Sequence, residues 1–133
     1  MFCKNTKYGF FCISFYFIDS TFLIHTILKR ELGNKRFIGI YPLEWLPDFL
    51  QNGSYVINTH TSNLSGEHWI AIHVKSNIIR VFDPMGIFYP PLLVTKLERM
   101  QQRIEYNQIK YQNPLTFLCG QYCIEWLKSQ YKQ

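Results

Sequence analysis

The run from His68 to Asp83, HWIAIHVKSNIIRVFD, leaves a folding chain few choices. Apolar residues alternate with others on both sides of Ser76-Asn77, which is the period of a strand and not of a helix. In the first half His68, Ile70, Ile72 and Val74 fall on one face, and Trp69, Ala71 and His73 on the other. In the second half Ile79, Val81 and Asp83 share a face. Two such runs around a short polar turn predict a β-hairpin over 68–74 and 78–83. A two-residue turn at Ser76-Asn77 sets residue 70 opposite 83. His68 and Asp83 then become diagonal neighbours on one face, about 7–8 Å apart. A four-residue turn sets them directly opposite, and a three-residue turn sends them to opposite faces. The even turns bring Ile70 and Ile72 against Ile79 and Val81, so the apolar pattern favours them.

The rest of the chain mixes helices and strands without a repeating βαβ rhythm, which predicts the α+β class. Asp19 to Leu32 reads as a helix capped by Asp19, Ser20 or Thr21. Phe22, Leu23, Ile27 and Leu28 form its apolar stripe, and Gly33 stops it. FIGIYPLEWLPDFL, broken by two prolines, predicts a strand, a turn and a helical turn, and SYVINT a strand. PPLLVTKLERMQQRI opens on prolines, as helices tolerate, and predicts a second helix reaching Ile104. A strand and loop follow in YNQIKYQNPLT, then a last helix in FLCGQYCIEWLKSQYK. No repeat, linker or low-complexity tract divides the 133 residues, so one domain over 1–133 is expected.

Hydrophobic residues make up 47% and charged residues 17%, a balance that excludes a disordered chain. The net charge of +5 permits weak, salt-sensitive attraction to nucleic acid or anionic lipid, although the cations are scattered along the sequence. Cysteines at 3, 12, 119 and 123 match no secreted disulfide framework, which points to a reducing, intracellular setting. The apolar run 8–18 is too short to span a bilayer and lacks a signal-cleavage site; a buried strand is expected there, and no membrane partner.

A carboxylate beside a histidine orients the ring and stabilises its charged form, and so makes a general base of fixed tautomer. Its nucleophile would come from YQNPLTFLCGQYCIEWL. Thr116 as N-cap places Cys119 in the first turn of the last helix, where the dipole and free N–H groups favour thiolate over thiol. Gly120 leaves room beside the sulfur. Each residue also has a plain structural reading: His68 as a strand-end histidine, Asp83 before Pro84 as a turn residue, Cys119 as a small core hydrophobe. His25, His60 and His73 are expected to be structural and Cys123 packed. No cofactor or metal is expected, because Cys119, Cys123 and a histidine lack a second pair at zinc-ligand spacing.

GEHWIAIHV, then RVFDPMG, then Gln112 seven residues before Cys119 in QNPLTFLCGQYCIEWL, resembles the adenovirus-type cysteine proteases. The style is that of the versions carried by Maverick/Polinton-type transposons and virophages, with the same motif order in proteases of SUMO and related ubiquitin-like proteins. KRFIGIYPLEWLP followed by SYVINT is similar to the family's N-terminal half, so the resemblance runs from about Ser20 to Leu127. It implies a papain-like or adenain-like fold, with a mixed sheet flanked by helices and the nucleophile at a helix N-terminus. It implies His68 as general base, Asp83 as its orienting carboxylate, Cys119 as nucleophile and Gln112 as oxyanion donor. Trp69 would wall the substrate cleft, with Gly120 beside it, and the cleft would favour glycine near the scissile bond. The implied activity is cutting of viral or transposon capsid precursors. A peptidase for ubiquitin-like modifiers and an inactive relic that binds nucleic acid are the alternatives. The implied partners are a protein or peptide substrate, weakly held DNA and an activating peptide; no cysteine between Asp83 and Gln112 would tether that peptide by a disulfide. A nucleus or a virion is the implied setting. Only 14 residues follow Cys119, fewer than relatives carry, so a chain shortened at its C-terminal side is expected.

Overall fold

The computed structural model describes residues 2–6, 9–13, 21–59, 68–86, 89–107 and 119–132, with the main chain alone for 2–13 and Cys119. Strands β1 (Phe2–Thr6) and β2 (Gly9–Ile13) pair antiparallel as a small separate sheet; β2 is a strand within the run 8–18, whose residues 8 and 14–18 lie outside the described residues. The main sheet follows: α1 (Thr21–Leu32), β3 (Phe37–Pro42), a 3₁₀ turn (Leu43–Trp45), β4 (Gly53–Asn58), β5 (Trp69–Lys75), β6 (Ile78–Phe82), α2 (Pro91–Glu98), β7 (Arg103–Tyr106) and α3 (Cys119–Ser129). Its five strands lie in the order β3-β4-β5-β6-β7. The outer pairs are parallel and the inner pairs antiparallel, so the α+β class holds.

Helices cover both faces of this sheet, which explains why β5 is buried along nearly its whole length. Trp69, Ala71, Val56, Phe37 and Phe82 pack on one side against Ile24, Ile27 and Leu28 of α1 and Cys123, Ile124 and Leu127 of α3. Ile70, Ile72, Val74, Tyr55, Ile57, Ile79 and Val81 pack on the other against Leu93 and Leu97 of α2 and Leu43 and Leu46 at the 3₁₀ turn. Alternation along β5 thus feeds two cores at once.

Two expectations are corrected. Phe22 is exposed; the buried stripe of α1 is Ile24, Ile27 and Leu28. At 100° per residue Phe22 lies about 200° from Ile24, off that stripe. The second helix ends at Glu98, well short of Ile104: Gln101 adopts a φ of 56°, and Arg103–Tyr106 leaves as β7. Parallel pairing of Ile78 with Arg103 through Val81 with Tyr106 overrides the helical periodicity of the local sequence. Gly33, with a φ of 82°, ends α1 as expected, its N–H bonded to the Lys29 carbonyl at 3.0 Å.

The far end of the sheet is tied to the tail of α3 by a buried polar chain. Ser54 Oγ lies 3.1 Å from His73 Nδ1 and 2.7 Å from the Tyr131 hydroxyl. Tyr131 in turn reaches the Arg36 carbonyl at 3.1 Å. A carbonyl only accepts, so Tyr131 donates to Arg36, Ser54 to Tyr131, and His73 Nδ1–H to Ser54. Burial, and then Arg80 and Lys75, hold the His73 imidazole neutral by lowering its pKa to about 4. The unfolded chain takes up that proton from about pH 6.5 downward, and the folded chain only near pH 4. This group therefore withdraws stability as pH falls through that window. His73→Gln keeps a donor without the titration; its melting temperature between pH 6.5 and 4 should fall less steeply than that of the wild type. Parallel curves would remove His73 from the acid response.

Candidate active site

Lys75 pairs with Ile78, and Ser76 and Asn77 have φ of 55° and 63°, so the hairpin closes through a two-residue turn of the mirror-image kind. Carried down the ladder, this register sets position 70 opposite 83 and puts His68 and Asp83 diagonally at the open end. The His68 carbonyl is held there by the backbone N–H of Thr59 at 3.0 Å and its hydroxyl at 3.2 Å. His68 Nε2 lies 2.6 Å from Asp83 Oδ1. A carboxylate only accepts, so Nε2 carries the proton and Nδ1 is left as the basic nitrogen.

Asp83 is 1% exposed, while the His68 side chain keeps 23% of its surface in solvent. A buried carboxylate is tolerable only when its oxygens are bonded. Asp83 Oδ1 also accepts the Met85 N–H at 2.9 Å, and the turn Asp83-Pro84-Met85-Gly86 closes with Gly86 N–H on the Asp83 carbonyl at 2.9 Å. Gly86 has a φ of 68°, a conformation that suits glycine. The main chain of Asp83 is bonded by Asn107, whose Oδ1 accepts the Asp83 N–H at 2.7 Å and whose Nδ2 donates to the Asp83 carbonyl at 2.8 Å. The Tyr89 hydroxyl reaches both the Asn107 carbonyl, at 2.9 Å, and its Oδ1. Neither Asn107 nor Tyr89 stands out in the sequence: Asn107 falls at the start of the strand expected in YNQIKYQNPLT, and Tyr89 belongs to no motif.

Cys119 is the first described residue of α3. Two contacts fix the direction of that helix. Cys123 Sγ donates to the Trp69 carbonyl at 3.4 Å, next to His68 in sequence, and the Tyr131 ring meets His73 edge-on at 5.0 Å near the other end of β5. The helix therefore runs with β5, and its N-terminus lies toward the His68 end of the sheet. Gly120, the next residue, is buried. Gln112 and Thr116 lie outside the described residues, as does His60. Cys123 is packed as expected, beneath the sheet. Trp69 is 0% exposed in the core against α1 and α3, and its Nε1 has no hydrogen-bond partner among the described residues. Among the described residues its surroundings are those of a packing residue. Among the described residues no group of three metal-ligating side chains occurs, and no helix is long and apolar enough to cross a membrane.

No family model matches the chain, and no curated protein does. Two crystal structures of the ASFV pS273R protease share its fold. The first has a TM-score of 0.53 at 16% identity, covering 88% of this chain and 56% of the protease. The selenomethionine form has 0.53 at 18% identity, covering 89% and 57%. The chain thus spans a little over half the length of these structures, and the likeness is one of fold.

Trp69 and the 75%-exposed Trp45 make an internal comparison. Trp69→Ala should destabilise by about 3–5 kcal/mol, and Trp45→Ala by less than about 0.5 kcal/mol, in urea unfolding followed by circular dichroism. A loss below about 1 kcal/mol for Trp69→Ala would deny that it is a core residue.

Proposed function

We propose that the chain is a cysteine endopeptidase. The observation that carries this reading is the 2.6 Å bond from His68 Nε2 to Asp83 Oδ1, at the end of the sheet toward which α3 presents Cys119. His68 Nδ1 takes the thiol proton of Cys119, and the sulfur attacks the scissile carbonyl carbon as its π pair moves to oxygen. Gln112 and the Cys119 N–H donate to that oxyanion. The imidazolium passes its proton to the leaving amine as the C–N bond breaks, and a water deprotonated by His68 then hydrolyses the thioester. The fold shared with the ASFV pS273R protease supports this reading, as does the order of the His-Trp, Asp-Pro-Met-Gly and Gln-Cys motifs. The substrates on this reading are capsid precursors cut at glycine-containing sites. Labelling by a C-terminal Gly-Gly probe of a ubiquitin-like modifier would redirect it to that class.

Iodoacetamide alkylation of each cysteine across pH, read by mass spectrometry, tests the centre without a substrate. Cys119 should react well below pH 7, while Cys123, buried with its thiol on the Trp69 carbonyl, should be protected in the folded chain; Cys3 and Cys12 serve as further internal controls. His68→Ala should abolish that difference and Asp83→Asn should weaken it. A Cys119 no more reactive than the other three in the wild type would end the peptidase reading for this chain.

A second reading, binding of nucleic acid, is favoured by where the fold gathers its cations. Arg36 before β3, Lys75 beside the hairpin turn, Arg103 opening β7 and Lys128 and Lys132 at the tail of α3 lie toward the end of the sheet opposite Asp83, with Arg80 in the middle of β6. Two acids there are already paired: Glu31 with Arg30 and Lys128, at 3.6 Å each, and Glu105 with Arg80 and Arg103, at 3.1 Å each. A labelled DNA duplex should bind with an affinity that falls linearly in log salt, and the double change Lys75→Gln and Lys132→Gln should shallow that slope by roughly 2. Absence of binding near 50 mM salt, where phosphate contacts are strongest, would dismiss this reading and leave the peptidase reading standing.

A further inference from the structure

We infer that Asn107, with Tyr89 behind it, is a positioning residue for the His68–Asp83 dyad; this rests on the peptidase reading of that dyad. The carboxamide of Asn107 offers one donor and one acceptor in a plane, and it meets the Asp83 N–H and C=O as a neighbouring strand would. β7 ends at Tyr106, and its parallel ladder to β6 continues through the Asn107 N–H on the Val81 carbonyl at 3.2 Å. The side chain then adds one rung beyond the last that the main chain makes. That rung falls on the residue whose carboxylate holds the histidine.

Removing it would leave a buried N–H and a buried C=O to find other partners, and the simplest relief is rotation of the Asp83 peptide. Oδ1 moves with that peptide, and a 2.6 Å bond to an imidazole does not survive a shift of 1 Å. The Asp83 main chain fixes which way the carboxamide points: its N–H requires the oxygen and its carbonyl requires Nδ2. Tyr89 braces that arrangement, its hydroxyl lying against both the Asn107 carbonyl and Oδ1. Burial first, and then the nearby Asp83 charge, push the Tyr89 phenol pKa up, so the hydroxyl keeps its proton. The Tyr89 ring packs on Tyr106 with centroids 4.6 Å apart, which holds the hydroxyl in place.

Asn107 also opens the segment that leads to Gln112 and Cys119. One side chain therefore fixes both the carboxylate and the point from which the chain departs toward the nucleophile.

The test reads the dyad directly. The His68 ring Nε2–H, shared with a carboxylate at this distance, gives a proton resonance far downfield and slow to exchange. It should be present in the wild type, lost in Asn107→Ala and broadened in Tyr89→Phe, while the ring resonances of His73 stay unchanged. Asn107→Asp removes the donor and keeps the shape; it should lose the resonance too, and covers the case in which Asn107→Ala fails to fold. Cys119 alkylation at pH 6 should fall on the order of 10²-fold in Asn107→Ala, the scale of a 1 Å misplacement. Loss of the resonance with a wild-type Cys119 that is not activated would sustain the positioning role and sink the peptidase reading. A His68 resonance untouched in the folded variants, or missing from the wild type, would overturn the inference.

Discussion

The register of a β-hairpin is discrete, because a slip of one residue turns every side chain to the other face. In this molecule that discreteness is set by two residues, Ser76 and Asn77, both in the left-handed region of backbone space. Such a turn matches the twist of its strands only when it is two residues long. With it in place, Ile72 meets Val81 and Val74 meets Ile79 in one core, while Ala71 meets Phe82 in the other. The packing energy of two cores therefore enforces one register, and His68 and Asp83 meet at its open end as a consequence. A slipped hairpin would lose the dyad and invert β5, whose two faces are complementary to different helices. The site inherits its precision from the core.

A buried carboxylate is the most demanding member of that site. Asp83 is withdrawn from water, so each of its polar atoms must be matched within the protein. The matches come from three directions: the turn it begins, through Met85 and Gly86; the neighbouring strand, through Asn107; and the histidine it serves. The turn and the strand are the structural conditions for a fixed bond to the imidazole. The buried His73 shows the contrasting solution. It is paired with neutral groups and held uncharged between cationic neighbours, and so it belongs to stability. His68 just before β5 and His73 within it thus sit in opposite surroundings, one beside a carboxylate and the other beside a hydroxyl.

Much of this was legible in the sequence because its signals are local. Alternation and a two-residue polar turn suffice for the hairpin, and glycine after an apolar stripe suffices for the end of α1. The parity rule alone brought His68 to Asp83. What the sequence concealed depends on partners distant along the chain. Residues 99–104 carry a helical pattern, and only the edge of β6 makes Arg103–Tyr106 a strand. Asn107 reads as one more residue of an expected strand until its carboxamide is seen on the Asp83 main chain, 24 residues away. Trp69 beside a histidine suggested a cleft wall, yet period-2 geometry turns it toward α1 and α3, away from the face of Ile70. The cations show the same limitation. They are scattered along the sequence, and they converge only because strand starts, strand ends and one helix tail meet at a single end of the sheet.

That convergence bears on the chemistry at the other end. A strand of 7 residues such as β5 is about 20 Å long, more than twice the screening length of ~8 Å at physiological ionic strength. Charges at the basic end therefore contribute little to the dyad in ordinary salt, and a polyanion seated there would leave the His68–Asp83 bond electrostatically undisturbed. In dilute salt the screening length reaches about 30 Å, and the basic end would then raise the potential across the whole sheet and favour a thiolate at α3. Among the described residues, Lys75, Arg80, Arg103 and Lys132 are cations whose reach toward α3 depends on ionic strength in this way. Ionic strength thus decides whether the basic end and the His68–Asp83 end of the sheet act on one another or stand apart.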